Sequence, residues 1–270
     1  MAIRTDNDVN DNELIRIALD AVLAATKIAD GFNGAVAVSH KGSLRDIVTQ
    51  ADIDISELLI KRLSLSGLPV ISEENSDQKI PVDTSCWVVD PIDGTVNFSH
   101  GLPQYAVSAG LLDHGSFRLG VVCAPALNEL YFTLNTERAL MNGRPFRHEH
   151  LGIQDALTAA SFSARVSESQ YTLFRQVNES TRGCLRTGSA ALNICWTATG
   201  KLQAAYGFAA KIWDVAGALA IARAAGCEIQ LQYADDRLTL DYCIGSHDVV
   251  KHISKLAQQN GLANFGTDDE

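Results

Sequence analysis

Trp87-Val-Val-Asp-Pro-Ile-Asp-Gly-Thr-Val-Asn-Phe98 is the densest chemical statement in this chain. The apolar run Trp87-Val-Val reads as a buried strand ending in Asp90, and Pro91 holds that aspartate extended. A turn is expected there, so that Asp93, three residues on, converges with Asp90 on one point. Gly94 permits close backbone approach. Thr95 is placed to cap a short helix whose free N–H groups would face an anion. Two carboxylates beside such a helix start repel each other, and a phosphate, unless a cation stands between them. Hard oxygen ligands with no His or Cys nearby select Mg²⁺ or Mn²⁺ over Zn²⁺. A bare D-x-x-D pair is usually a solvated turn. The apolar run before it, with Pro, Gly and Thr at mechanically useful positions, reverses that reading here.

Three further acidic segments look like partners. Ile71-Ser-Glu73-Glu74 closes a strand-like run over 67–72, which puts its carboxylates at a strand tip. Asp46-Ile-Val-Thr-Gln-Ala-Asp52 delivers Asp52 to the start of a helix, where capping is its first use. Trp213-Asp214-Val-Ala-Gly sets Asp214 at the start of an apolar helix over 215–225, again an N-cap when taken alone. A cap needs one carboxylate oxygen, so the other is left for a cation.

Outward from these motifs, Leu14, Ile15, Ala18, Leu19, Val22 and Leu23 recur at helical spacing, and that helix ends near Gly31. A second helix is expected over 52–65, with Ile55, Leu58, Leu59 and Leu63 on one stripe. From 105 to 140 the pattern turns to strands: Ala106-Val-Ser-Ala-Gly-Leu-Leu, a turn at Asp113-His-Gly-Ser, then Phe117-Arg-Leu-Gly-Val-Val-Cys and Glu129-Leu-Tyr-Phe-Thr-Leu. These are the makings of an antiparallel meander. The polar stretch 142–150 is the candidate domain junction, with His148 and His150 expected to be exposed. The other histidines form no metal-ligand spacing either. Helices over 168–180, 190–199, 214–225 and 247–259 alternate with short strands, an α/β pattern. Two domains are therefore expected: an α+β unit over 1–145 carrying most of the acidic cluster, and an α/β unit over 146–270 supplying Asp214.

Composition narrows the class. The 270 residues are 46% hydrophobic with a net charge of −10. An acidic surface argues against tracking a nucleic-acid backbone or gripping anionic membranes. No apolar run approaches the roughly 18–20 residues of a membrane span. The start, MAIRTDNDVNDNE, is polar and acidic where a signal peptide would be basic and then apolar. A cytoplasmic protein is expected. Its six cysteines include no C-x-x-C pair, so they read as reduced, mostly buried small hydrophobes.

Asp90-Pro-Ile-Asp-Gly-Thr95, Ser72-Glu-Glu74, Trp213-Asp-Val-Ala-Gly217 and Lys41-Gly-Ser-Leu-Arg-Asp46-Ile-Val-Thr-Gln-Ala-Asp52 together resemble the inositol monophosphatase family. That family belongs to the lithium-sensitive, Mg²⁺-dependent sugar phosphatase superfamily. The resemblance spans nearly the whole chain in order. It implies a layered αβαβα sandwich of the inositol monophosphatase/fructose-1,6-bisphosphatase type, usually a homodimer, with the site between the two halves. It also implies two to three Mg²⁺ ions, for which Mn²⁺ can substitute. Glu73, Asp90 and the carbonyl of Ile92 would hold one ion, and Asp90, Asp93 and Asp214 a second. A third would sit near Glu73 and Asp52. The phosphate of a small monoester would rest on the ions beside Asp93 and on the N–H groups of Gly94 and Thr95. Thr95, with Glu73 or Asp52, would orient and deprotonate the attacking water, with no covalent phospho-enzyme. Inhibition by millimolar Li⁺ follows from the same resemblance.

The alcohol half of the substrate is less defined. Gly188, Ser189 and Ala190, within Arg186-Thr-Gly-Ser-Ala-Ala-Leu-Asn, resemble the family's substrate-hydroxyl segment; a close-packed helix start is the plain alternative. Inositol-preferring members usually carry an acid seven positions before the aspartate of the Trp-Asp motif. Here that position is Gly207, which removes an acceptor for ring hydroxyls, while Lys211 adds a positive charge nearby. Tyr206 and Phe208 read as core packing. Ser72 resembles the branch acting on 3′-phosphoadenosine 5′-phosphate. Lys41-Gly-Ser-Leu-Arg45 resembles a mobile loop that brings Lys41 to the phosphate, with Gly42 as hinge; a merely solvated loop is the alternative. Histidinol phosphate and fructose 1,6-bisphosphate are further candidate substrates. A non-catalytic relative, keeping the fold as a regulatory scaffold, is the rival of a different class.

Overall fold

The computed structural model describes residues 10–32, 38–43, 46–75, 84–162, 166–262 and 265–267. The Asn10 side chain accepts from Asn12 N and opens helix α1 (Asp11–Gly31), whose apolar stripe is buried through Leu14, Ile15, Ala18 and Val22. A two-stranded antiparallel ribbon follows, β1 (Val38–Ser43) with β2 (Asp46–Thr49). Helix α2 (Gln50–Leu63) begins two residues earlier than its apolar stripe suggests. Thr49 and Asp52 form a reciprocal capping box that recruits Gln50 and Ala51 into the first turn.

The first large sheet is built from β3 (Val70–Ser72), β4 (Cys86–Asp93), β5 (Ala106–Asp113), β6 (Ser116–Ala124), β7 (Glu129–Asn135), β8 (Arg138–Met141) and β9 (Arg144–Phe146), lying side by side in sequence order. Only β3 and β4 are parallel; the rest is the expected meander. A short helix α3 (Thr95–Ser99) interrupts it after β4. The β5–β6 turn has both central residues at positive φ, His114 at 50° and Gly115 at 81°. That conformation matches the right-handed twist of a hairpin.

The second large sheet is mixed. It takes β10 (Leu157–Phe162), β11 (Gly183–Leu185), β12 (Ala204–Lys211), β13 (Glu228–Tyr233), β14 (Thr239–Gly245) and β15 (Gly266–Thr267) in the order β11-β10-β12-β14-β13-β15. Helices α4 (Glu168–Ser180), α5 (Ala190–Ala198), α6 (Ile212–Ala225) and α7 (His247–Gln259) connect its strands.

These elements stack as five layers. Helices α1 and α2 cover the outer face of the first sheet, α5 and α6 lie between the sheets, and α4 and α7 cover the outer face of the second. The layered αβαβα sandwich is thus present. Every residue of α6 except Asp214 and Arg223 is buried, as a helix faced by sheets on both sides must be. The central cluster draws on both halves of the chain, from Ile71 and Val88 to Ile221 and Ile244. Each cluster contains cysteines: Cys86 and Cys195 in the centre, Cys123 under α1 and α2, Cys184 and Cys243 under α4 and α7. All six cysteines are free.

Helix α6 is pressed onto β5 and β6 by glycines. A Cβ on Gly120 would lie 2.0 Å from the Gly217 carbonyl oxygen, and one on Gly110 2.6 Å from Gly217 N. Backbone meets backbone there, which only glycine allows. This contact sets the position of the Asp214 turn relative to the first sheet.

The stretch 142–150 differs from expectation at one residue. His150 is exposed, but His148 is only 7% exposed. Its Nδ1 lies 2.7 Å from the Thr197 carbonyl and its Nε2 3.0 Å from Ser246 Oγ. Burial holds the imidazole below its usual pKa. The polar character of the stretch marked it as surface, but this histidine pins the chain leaving β9 to the layers behind it. No described helix is long and apolar enough to cross a membrane.

Candidate metal centre

Asp90 and Asp93 are brought together by a bulge rather than a turn. Strand β4 runs on through Asp93, and its pairing with β5 shifts: Asp90 faces Ser108, while Asp93 faces Ala106. Three steps on one strand thus match two on the other. In a regular strand residues i and i+3 point to opposite faces; one inserted residue puts both on the same face. Pro91, which has no N–H to give the ladder, sits within the irregular segment.

Asp90 is 2% exposed, and its Oδ1 accepts from Ile92 N at 2.9 Å. Glu73 arrives from the short 3₁₀ turn after β3, and Asp214 from the first turn of α6. Carboxylate oxygens of Glu73, Asp90 and Asp214 all lie within 4.8 Å of one another. Burial raises the Asp90 pKa well above the carboxylate range, and the charges of Glu73, Asp93, Asp214 and Asp52 raise it further. Desolvation of the carboxyl of half-buried Asp214 raises its pKa, and Glu73 and Asp93 raise it further, against the opposing N–H and charge of Lys211. Mutually repelling, desolvated oxygen donors fit a hard divalent cation, which would relieve both costs at once. Asp214 is the third helical residue, not the N-cap: its Oδ2 accepts from Lys211 N at 3.1 Å.

Asp93 is held differently. Its Oδ2 accepts from the Ser189 hydroxyl and from Ala191 N (2.9 Å), and its Oδ1 from Ala190 N (3.1 Å). Burial pushes its pKa up to about 6, despite these three donors. A carboxylate of the first sheet is thereby tied to the start of α5. Asp52 gives Oδ2 to the capping box, and its Oδ1 lies 3.3 Å from Thr95 Oγ1. The Thr95 hydroxyl also reaches the Ile92 carbonyl at 2.9 Å. Thr95 is the first helical residue of α3, and the N-cap is Gly94 at φ 92°. The threonine hydroxyl is therefore turned toward Asp52 and Ile92 instead of capping.

The remaining candidates are spread around this centre. Gly188 packs on Asn97, whose Nδ2 donates to Gln104 O (2.7 Å) and Thr187 O (2.8 Å). Ser189 caps α5 by accepting from Leu192 N at 3.2 Å. The Gly188-Ser189-Ala190 segment thus serves close packing and fixes Asp93. Lys41 lies in β1, but its side chain is outside the described residues, as is the 44–45 part of that loop. Ser72 turns into α2, its hydroxyl 2.7 Å from that of Ser56. Tyr206 and Phe208 are buried on the α4/α7 side, as core packing requires.

Gly207 is buried in β12, and the space a side chain would need is filled: its Cβ would lie 2.6 Å from the Tyr242 ring. Tyr242 donates to Ser161 Oγ (2.8 Å), which also accepts from Asn193 Nδ2 (3.1 Å). Tyr242 and Ser108 are site neighbours that motif reading does not reach, and Asn97, although inside the Trp87–Phe98 motif, gives no sign there that it buttresses Gly188. For Tyr242 the signal lies only in the Gly207↔Tyr242 strand register.

A five-layer α/β sandwich with an acid cluster where a bulged strand meets the central helices fits a metal-dependent phosphomonoester hydrolase. The comparisons agree and carry it further: the family model described as "Inositol monophosphatase family" matches residues 10–259, and the chain belongs to that family. It is 33% identical over 230 residues to inositol monophosphatase 1 of Solanum lycopersicum, covering 79% of this chain and 82% of that protein. It is 35% identical over 212 residues to inositol-1-monophosphatase SuhB of Mycobacterium tuberculosis, covering 74% and 73%. Among solved structures, the extragenic suppressor protein suhB from Bartonella henselae superposes with a TM-score of 0.83 at 26% identity, covering 92% of this chain and 99% of that one.

Proposed function

We propose that this chain hydrolyses an inositol-1-phosphate-like sugar or polyol phosphate, using two to three Mg²⁺ ions. Glu73, Asp90, the Ile92 carbonyl, Asp93, Asp214 and Asp52 would hold the ions. The carrying observation is the Glu73–Asp90–Asp214 cluster, whose oxygens converge within 4.8 Å. When bound, the ions supply positive charge to the phosphoryl oxygens and acidify the water nucleophile. Thr95 orients that water, and Asp52 or Glu73 takes its proton. The 3.3 Å approach of Thr95 Oγ1 to Asp52 Oδ1 supports the first pairing. Gly94 and Thr95 offer backbone N–H groups to the phosphate, and Lys41 a charge from β1. Gly188, Ser189 and Ala190 border the alcohol half.

The same reading makes residues 1–145 the carrier of most ligands and residues 146–270 the source of Asp214 and the substrate contacts. It also makes the protein a lithium-sensitive, cytoplasmic homodimer. The missing acid at Gly207, with the positive charge of Lys211 at the start of α6, favours a second reading, in which the alcohol half carries its own anion, as in 3′-phosphoadenosine 5′-phosphate or fructose 1,6-bisphosphate. A panel of these esters, inositol 1-phosphate and histidinol phosphate, ranked by kcat/KM with Mg²⁺ and with EDTA, separates the two. Inositol 1-phosphate ranking first supports the leading reading, and a doubly anionic ester ranking first the other. No phosphate release from any ester would leave a non-catalytic scaffold.

A further inference from the structure

Ser108 lies in the middle of β5, in an alternation that turns Ala106, Ser108 and Gly110 toward the central helices. It is fully buried, and among the described residues its Oγ is the one buried side-chain polar atom without a hydrogen-bond partner. Its surroundings are specific. Across the ladder it faces Asp90, and side chains of such a pair stand about 5 Å apart at Cβ. On the other side, a Cβ on Gly217 would be 2.8 Å from the Ser108 hydroxyl. Gly217 follows Asp214 by three residues, on the same side of α6. The hydroxyl is therefore wedged between Asp90 and the helical turn that presents Asp214.

An unpartnered buried hydroxyl costs a fold the desolvation of that group, and native interiors rarely keep one. Alanine would fit this position without that cost. Asp90 commits Oδ1 to Ile92 N and Asp214 commits Oδ2 to Lys211 N, so each keeps a second oxygen for other partners.

We propose that Ser108 is a positioning residue of the cation site: its hydroxyl donates to Asp90 when the cluster carries its ions, and holds that carboxylate in its ligating orientation. The cation-free protein bears the cost of the idle hydroxyl; the loaded protein does not. This inference rests on reading Glu73, Asp90 and Asp214 as cation ligands.

The test compares wild type with Ser108→Ala. Mn²⁺ affinity is measured by calorimetric titration, and thermal unfolding is followed in EDTA and in saturating Mg²⁺. The expected result has opposite signs: in EDTA the variant melts at the same temperature as wild type or higher, yet it binds Mn²⁺ at least about 10-fold more weakly. Equal Mn²⁺ affinity overturns the proposal. So does a loss of melting temperature as large in EDTA as in Mg²⁺, because the hydroxyl would then have a partner in both states. If wild type itself binds no Mn²⁺, the cation reading fails as well, an outcome distinct from failure at Ser108 alone.

Discussion

At Asp90, burial, a bulged strand and neighbouring carboxylates meet in one side chain. Asp90→Asn is expected to lower kcat at least about 10³-fold, the order seen when preorganised charge is removed from a reacting centre. The same change should raise the stability of EDTA-treated protein in urea, because it deletes one charge from a repelling cluster. Near-normal turnover would reject the ligand role. Asp93 gives a pH dependence. Its pKa stands at about 6 in the fold against an ordinary 3.8, so without cations its ionised form is disfavoured in the folded state. That contribution to stability is present below the ordinary value and is lost as pH rises through about 6. Melting temperature in EDTA should fall across this window, and Mg²⁺ should bind more weakly below it, where protons compete. A rise across the window in EDTA would contradict the assignment. The convergence of Glu73, Asp90 and Asp214 was legible because each sits in a motif with its own local logic. Ser108 was not: a serine inside an apolar strand says nothing until the cross-strand register is known.

Among elements, α6 carries the tightest constraint. A methyl group at position 120 would have to occupy space 2.0 Å from the Gly217 carbonyl oxygen, and backbone on both sides leaves nothing flexible to yield. Gly120→Ala is expected to destabilise by about 1–3 kcal/mol or more. By tilting α6 it should also weaken Mg²⁺ binding through Asp214. Denaturant unfolding and a Mg²⁺ titration of the same variant check both; unchanged values in both would show that the helix can retreat freely. Helix boundaries followed the apolar periodicity closely, α4 and α7 matching at both ends. Helix α2 ends at Leu63, two residues short of expectation, and α5 at Ala198, one short; the misses that bear on the site were at N-termini. Asp52 and Asp214 each looked like the first capping residue, yet each is the third helical residue and reaches back to the N–H before its helix. At α2 the Thr49-x-x-Asp52 spacing could have revealed this. At α6 a lysine stands where the hydroxyl would be, and no such cue exists. The turn expected after Asp90 proved to be a bulge because strand pairing with β5 resumes at Asp93.

On the scale of the molecule, the central core is built by both halves together. The inner face of the first sheet is covered by α5 and α6, which come later in sequence. A fragment of residues 1–145 is therefore expected to expose that face, to bind a hydrophobic dye and to unfold without a sharp transition. Cooperative unfolding of the isolated fragment would show that its own helices suffice. Two sheet styles could be read from strands gathered early and alternating elements later. The five-layer stacking was supplied by the family resemblance, since periodicity says that a helix is apolar all round but not which sheets enclose it. The distribution of cysteines then has a practical consequence. Burial raises the thiols of Cys86 and Cys123 to about 11, leaving little thiolate at neutral pH to meet an alkylating reagent. Each of the three interiors holds at least one such dormant thiol. Pulse alkylation read by peptide mass spectrometry would thus time-stamp the separate opening of every stratum, a set of internal clocks that needs no engineered label.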